Sequence, residues 1–360
     1  MKKNILHFIY DLGRGGAETM MVRVIKALPE YNHIVVTLYP YDRLSKEMTC
    51  DVFICLNQQS LFLFPLSAIR LRKIIRRYKV DLVHTHLFWP TVIARIGVPK
   101  KIPLVTTIHA FIKTSVEYSN WHIRLLDRVS YNFHRSVIIA VAKGALDEYF
   151  SLLRIKPFKA YVLYTFADTD KFILPVSLSA KNEEEWFSVI SVGALRFQKN
   201  HLFLINAFKK LKHEKIELHI YGEGPLKQSL QQLINEEPGV NVILKGEVSN
   251  IHELLPKYDL FVLASSFEGF SLSVLEAMAV KMPLLLSDIA SFREQCEGLA
   301  VFFKLNDVDD FVQKLHILST DKAQLKSMGE KGFEKMTADF TLTKHINGLR
   351  QIYEDVFRGV

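Results

Sequence analysis

At 360 residues and 49 % hydrophobic content, the chain is long enough for two domains, each with its own core. A formal net charge of +8 points to anionic partners (phosphates, nucleic acid or an acidic membrane surface) without choosing among them. Three cysteines, Cys50, Cys55 and Cys296, odd in number and without zinc-ligand spacing, exclude a zinc finger and read as buried thiols in a reducing compartment.

The start, MKKNILHFIYDLGRGGAE, has an apolar run too short for a signal peptide, broken by His7 and ended by Asp11. No apolar run reaches the length of a membrane span, because LFLFPLSAI is interrupted by Pro65 and followed by arginines. The expectation is a soluble or peripheral cytoplasmic protein, with the inner face of the cytoplasmic membrane as the peripheral site. NILHFIY, HIVVTLY, DVFICL, DLVHTH, PLVTTIH and SVIIAV are mostly continuous apolar runs, the mark of parallel strands buried on both faces. Helical stretches such as 17–28 and 65–78 lie between them, which is the rhythm of a doubly wound α/β domain. DKFILPVSLSAKNEEEW breaks that rhythm at Pro175 and the polar run 181–185, and reads as a linker or surface excursion. The rhythm restarts with WFSVISVG, IELHIYG, VNVILKG, DLFVLAS, MPLLLSD and LAVFF. TADFTLTKHINGLRQIYEDVF reads as one amphipathic helix with Leu342, Ile346, Leu349, Tyr353 and Val356 on one face. That face has to pack on one domain, the first included, or bridge both. The expected division is 1–167, 168–340 and a C-terminal helix, 341–360.

Ligands of doubly wound domains sit at the carboxyl ends of strands, so the residues there are the candidates. Gly13, Gly15 and Gly16 follow the first strand and precede a helix; they form neither a complete dinucleotide fingerprint nor a Walker loop, and a plain turn explains them equally well. His109 ends PLVTTIH and outranks His86 as a functional histidine. Arg196 and Lys199 follow SVISVG, just before a helix that Asn200 could cap, and could clamp an anion; a solvated turn is the plain alternative. Gly222 and Gly224 flank Glu223 in a second glycine loop, again explicable as a simple turn. The stretch SSFEGFSLSVLEAMAVKMPLLLSD has amides at Gly269, Phe270 and Ser271 for an anion, and places Glu276 one turn into a helix among apolar neighbours. A carboxylate buried there needs a partner. Asp168 and Asp170 invite a metal reading but sit where one domain hands over to the next, and a turn or cap role fits them better. The helix 65–78, with Arg70, Arg72, Lys73, Arg76 and Arg77, can dock its apolar side on a sheet and turn its basic side to solvent or anionic lipid.

Together GGAET, VGALRFQKNH, YGEGP and FEGFSLSVLEAMAVKMPLLLSD, in this order, resemble the retaining, nucleotide-sugar-dependent glycosyltransferases of GT-B type, family 4. The last motif, two glutamates eight apart before a Pro-led strand, is the specific one. The stretch YTFADTDKF departs from the Asn-Gly-aliphatic-Asp that this family often has at the domain junction: Thr165, Phe166 and Ala167 stand where Asn, Gly and the aliphatic residue would, and Asp168 remains. The resemblance implies two Rossmann-like domains facing across a cleft, with the acceptor over the first and the donor on the second. It implies that Glu276 takes the ribose hydroxyls and that Glu268 lies near the donor sugar. Arg196, Lys199 and the amides of Gly269, Phe270 and Ser271 hold the diphosphate without a metal, and no cofactor is expected. His109 contacts the sugar or assists transfer, Gly15 and Gly16 allow close approach, and the loop of Gly222 and Glu223 borders the donor. The implied reaction is retaining transfer of a hexose from a UDP- or GDP-sugar to a glycan or lipid-linked acceptor in cell-surface polysaccharide biosynthesis. A non-catalytic nucleotide-sugar-binding accessory subunit is the alternative. A nucleic-acid-binding protein would explain the charge but not the glutamates, so no nucleic-acid partner is expected.

Overall fold

The computed structural model describes residues 2–13, 15–58, 60, 63–113, 116–167 and 186–359. The run 181–185 and the pair Asp168 and Asp170 lie outside the described residues. The chain divides into two compact units, residues 1–165 with 345–360, and residues 166–344.

The first unit runs β1 (Asn4–Ile9), α1 (Gly16–Ala27), β2 (Asn32–Thr37), β3 (Val52–Cys55), α2 (Phe64–Arg77), β4 (Leu82–His86), α3 (Phe88–Gly97), β5 (Leu104–Ile108), α4 (Val116–Ser119), α5 (Trp121–Phe133), β6 (Val137–Ala140), α6 (Lys143–Leu153) and β7 (Ala160–Val162). Its seven strands are all parallel, in the order β3-β2-β1-β4-β5-β6-β7. Every residue of β4, β5 and β6 is buried; β6 is wholly apolar, as a strand covered on both faces tends to be, whereas β4 and β5 also bury His84, Thr85, His86, Thr106 and Thr107. The steps β3 to β4, β4 to β5 and β5 to β6 run in one direction, so right-handed crossovers put α2, α3 and α5 on one face and α1 on the other. The packing agrees: Leu6, Phe8 and Val83 join Leu71 and Ile93 in one cluster, whereas Ile9 and Val35 join Met21 and Ile25 in another.

The second unit runs β8 (Phe187–Val192), α7 (His201–Phe208), β9 (Ile216–Tyr221), α8 (Lys227–Asn235), β10 (Val242–Gly246), α9 (Ile251–Leu254), β11 (Leu260–Leu263), α10 (Leu272–Ala279), β12 (Leu284–Ser287), α11 (Ala290–Cys296), β13 (Val301–Phe303), α12 (Val308–Thr320) and α13 (Lys322–Asp339). Its six parallel strands are ordered β10-β9-β8-β11-β12-β13. Both sheets therefore reverse their strand order once, beside β1 and β4 in the first and beside β8 and β11 in the second.

The single C-terminal helix expected from Thr337 onward is two helices. α13 ends at Asp339 and α14 spans Leu342–Phe357. Thr341 breaks the run, because its Oγ1 accepts from Lys344 N at 3.2 Å and its backbone bridges to Ala167. From His345 onward α14 belongs to the first unit, with Ile346, Leu349, Ile352 and Tyr353 buried. Only Cys296 of the three cysteines is fully buried; Cys50 and Cys55 are half-buried. Among the described residues no helix is long and apolar enough to cross a membrane.

Candidate functional site

The reversal points of the two sheets select the residues, because there adjacent strands send their following loops in opposite directions and leave a crevice. In the second unit these are the loops after β8 and β11, and the chain stitches them together. Lys199 Nζ donates to Glu268 Oε1 at 2.6 Å. Ser265 Oγ donates to the same oxygen at 2.8 Å, and Gln198 Nε2 donates to Glu268 Oε2 at 3.3 Å and to Phe267 O at 3.0 Å. Glu268 is 7 % exposed, whereas Glu276 is only half-buried on α10. The helical pattern around Glu276 suggests the reverse. The buried carboxylate of the motif is Glu268, and Lys199, Ser265 and Gln198 offset its desolvation.

Arg196 opens the short 3-10 turn 197–199, and its guanidinium is exposed with no ion pair among the described residues. Asn200 stands at the N-cap of α7 with φ 50° and makes no side-chain capping bond, so the expected cap is not formed. The glycines after β9 have a local explanation. Gly222 has φ +145°, and a Cβ there would collide with the Gly193 carbonyl; a Cβ at Gly224 would lie 2.5 Å from Leu195 O. Leu195 N donates to Glu223 O at 3.0 Å and Leu226 N to Leu195 O at 3.1 Å, so the glycines let the loops after β8 and β9 zip together. Exposed Glu223 pairs with Lys227 at 2.6 Å.

Ser271 begins α10, but its amide is not free for an anion: it donates to Gln295 Oε1 at 3.0 Å, and Gln295 Nε2 returns a bond to Ser271 O. Phe270 is buried against the Phe340 ring at 5.1 Å, and Gly269 precedes it in the same loop. Gln198, Ser265 and Gln295 are the organising residues that sequence reasoning missed. Amides and hydroxyls carry no periodic signal, and their partners lie up to 70 residues away.

In the first unit, Gly15 is the N-cap of α1 and Gly16 its first residue. A Cβ at Gly15 would strike the Glu18 carboxylate, so that side chain lies against the helix N-terminus, where a negative charge is favourable. His109 is half-buried at the end of β5, and its Nε2 shares a hydrogen bond with His86 Nδ1 at 3.0 Å. Burial, and next the charge that His345 would carry, push the His109 pKa down to about 3, so the ring is neutral at physiological pH. His109 lines a cavity of about 140 Å³ with Leu87, Thr107 and Tyr118. Leu87 adopts φ 68° and ψ 169°, a conformation that strains any residue with a side chain and clusters at functional sites.

Behind His109 the histidines continue inward. His84 bonds Tyr353 Oη and Thr107 Oγ1, both at 2.7 Å, and burial pushes its pKa down to about 3. His7 bonds His33 at 3.1 Å. His7, His84 and His86 bring ring nitrogens within 4.8 Å of one another, a spacing that could hold a metal. Both nitrogens of His84 already have partners, so the group is a hydrogen-bonded core first.

Two successive doubly wound parallel units, each with polar loops at its reversal point, define the GT-B class. The chain shares that fold with HepE from Anabaena, solved with UDP and glucose (TM-score 0.83, 16 % identity, covering 98 % of this chain and 100 % of that one). It shares it equally with sucrose-phosphate synthase from Thermosynechococcus elongatus (TM-score 0.83, 16 % identity, all of both chains). The family models agree on complementary halves. Residues 14–171 match Glycosyltransferase Family 4 and residues 178–335 match Glycosyl transferases group 1. The chain belongs to these group 1, family 4 glycosyltransferases. It is similar to the N-acetylgalactosamine-N,N'-diacetylbacillosaminyl-diphospho-undecaprenol 4-alpha-N-acetylgalactosaminyltransferase of Campylobacter jejuni, at 29 % identity over 84 % of this chain and 86 % of that protein. It is also similar to the UDP-Gal:alpha-D-GlcNAc-diphosphoundecaprenol alpha-1,3-galactosyltransferase of Escherichia coli, at 26 % identity over 81 % and 79 %.

Proposed function

We propose that this glycosyltransferase moves a hexose, with retention and without a metal, from a UDP- or GDP-sugar to a lipid-linked or glycan acceptor in surface-polysaccharide assembly. The observation that carries the donor reading is the buried Lys199–Glu268 pair at the reversal point of the second sheet, next to the unpaired guanidinium of Arg196. A diphosphate there takes charge-assisted bonds from Arg196 and from the donors that Lys199 does not spend on Glu268. As the sugar departs, the two cations meet the charge growing on the leaving diphosphate, which is the work a divalent metal does elsewhere. Glu268, held by three donors, keeps Lys199 in place and approaches the sugar. Half-buried Glu276 accepts both ribose hydroxyls. Neutral His109 keeps Nδ1 as a hydrogen-bonding edge for the sugar while Nε2 engages His86.

The undecaprenol-linked substrates in the names of the Campylobacter and Escherichia relatives favour a lipid-linked acceptor, and with it peripheral work at a membrane. On α2, Arg70, Arg72, Lys73, Arg76 and Arg77 are all exposed and available to headgroups, although Arg70 and Arg72 each also donate to a protein carbonyl, of Leu56 and Gly97. The test is transfer from radiolabelled UDP- and GDP-hexoses to an undecaprenyl-diphosphate-linked sugar. Arg196→Ala and Lys199→Ala should each lower turnover by about a hundredfold or more. Undiminished transfer by both variants would remove the diphosphate clamp from the account.

A further inference from the structure

Helix α5 is fastened to the first unit by its inner face. Asp127 pairs with the wholly buried Arg95 of α3 and accepts from Tyr149 Oη at 3.0 Å and from Tyr118 Oη at 2.5 Å. Ile123, Ser130 and Tyr131 complete that face. A side chain on the opposite face has no core of its own to join. Yet Trp121, Leu125, Val129 and Phe133 stand there, 69, 49, 56 and 57 % exposed. Spaced four residues apart, they make one apolar ridge along the whole helix. Single exposed apolar residues are ordinary, but an aligned ridge marks a surface that something covers.

The charges around the ridge say what covers it. The only acid of α5, Asp127, is turned inward to Arg95. Arg128, Arg135 and Lys101 are exposed and make no ion pair among the described residues. Lys100 stands 4.4 Å over the Phe133 ring. On the same face of the sheet, α2 exposes Leu66 and Ile69 beside its own cations. A second copy meeting the first across a twofold axis would bring these cations face to face. An anionic lipid surface takes both features at once, apolar side chains at the acyl boundary and cations among the headgroups.

We propose that the α5 ridge is a membrane-docking surface, on which Trp121, Leu125, Val129 and Phe133 enter the interface of an anionic bilayer while Arg128 and its neighbours hold the headgroups. Trp at one end of the ridge suits this, because its amphipathic ring favours the water–lipid boundary. The docking is independent of the transfer chemistry, though it suits an acceptor carried on a lipid.

The experiment is co-sedimentation of the full chain with vesicles of equal parts phosphatidylglycerol and phosphatidylcholine, against phosphatidylcholine alone, over a range of salt. Wild type should bind the anionic vesicles more tightly, lose affinity as salt rises, and show a blue-shifted tryptophan emission that Trp121→Phe abolishes. Leu125→Glu with Val129→Glu, both surface positions, should keep the melting temperature and weaken partitioning by about tenfold or more. Arg128→Glu should weaken it less, and mainly at low salt. The proposal falls if wild type ignores anionic vesicles, or if the double variant binds as wild type does. It also falls if light scattering shows the double variant breaking a dimer that wild type forms in place of binding vesicles. Transfer to a water-soluble acceptor should survive in the double variant. Its absence from every form, with vesicle binding intact, would overturn the transfer reading alone.

Discussion

Acidification should unfold the first unit well before carboxylates begin to protonate. The perturbation is protonation of the histidine network behind His109. His84 and His109 have pKa values pushed down to about 3, and His345 to about 4, in each case chiefly by burial. In the unfolded chain the same groups titrate near 6.5. The folded pKa values are lowered, so between the two limits the unfolded chain binds more protons. The stability these neutral rings contribute is complete above about pH 6.5 and is lost as pH falls. Each ring loses about 1.4 kcal/mol per pH unit, so between pH 6.5 and 5 each costs about 2 kcal/mol and the three about 6 kcal/mol. His7 and His86, also lowered by burial, act in the same direction. Against a typical total of about 5–15 kcal/mol, that is enough to melt a domain. The assay is urea unfolding at pH 7, 6 and 5, with hydrogen exchange on peptides from β4 and β5 to assign the loss to the first unit. His109→Asn removes one titrating ring and should lower the pH slope between 6 and 5 by about 1.4 kcal/mol per unit. A stability flat from pH 7 to 5, or a slope unchanged in His109→Asn, would refute the reasoning.

Three further outcomes are expected. Glu268→Gln should destabilise the second unit by about 2–4 kcal/mol, because it strips the partner from a largely buried lysine, while Glu276→Gln, at a half-buried position, should lower the melting temperature less; thermal melts of the two variants decide it. Gly222→Ala should cost about 1–3 kcal/mol in urea unfolding, since its positive φ and the collision with the Gly193 carbonyl both resist a side chain. Chelation by EDTA should leave transfer largely intact, and activity lost on chelation and restored by manganese would contradict the metal-free clamp.

The central strands were legible because a strand buried on both faces writes a largely apolar run; the edge strands β3 and β10 also stand on apolar runs, although they are only partly buried. β7 left no such mark, because its three residues are only half-buried at the sheet edge after Pro157. The division between α13 and α14 was hidden because Leu342, Ile346, Leu349 and Tyr353 keep helical spacing up to a break set by Thr341 and a bridge to Ala167. Strand-end position and the motif spacing single out Arg196, Lys199, Glu268 and Glu276 in the sequence, and of these the structure joins Lys199 to Glu268. Which glutamate is buried was not, because the donors that permit it, Lys199 and Gln198, lie about 70 residues earlier in the chain. The histidine network was still less legible: His84 meets Tyr353 across 269 residues, and a histidine in an apolar strand looks the same in sequence whether or not it has that partner.

Calorimetric binding of UDP and of GDP to wild type, Glu276→Gln and Lys199→Ala tests the donor site most directly. One nucleotide should bind wild type without added metal, and each substitution should weaken it by about ten- to a hundredfold, or roughly 1.5–3 kcal/mol. Binding of either nucleotide that both variants retain undiminished, in proteins still folded at the assay temperature, would place the donor elsewhere and contradict the account.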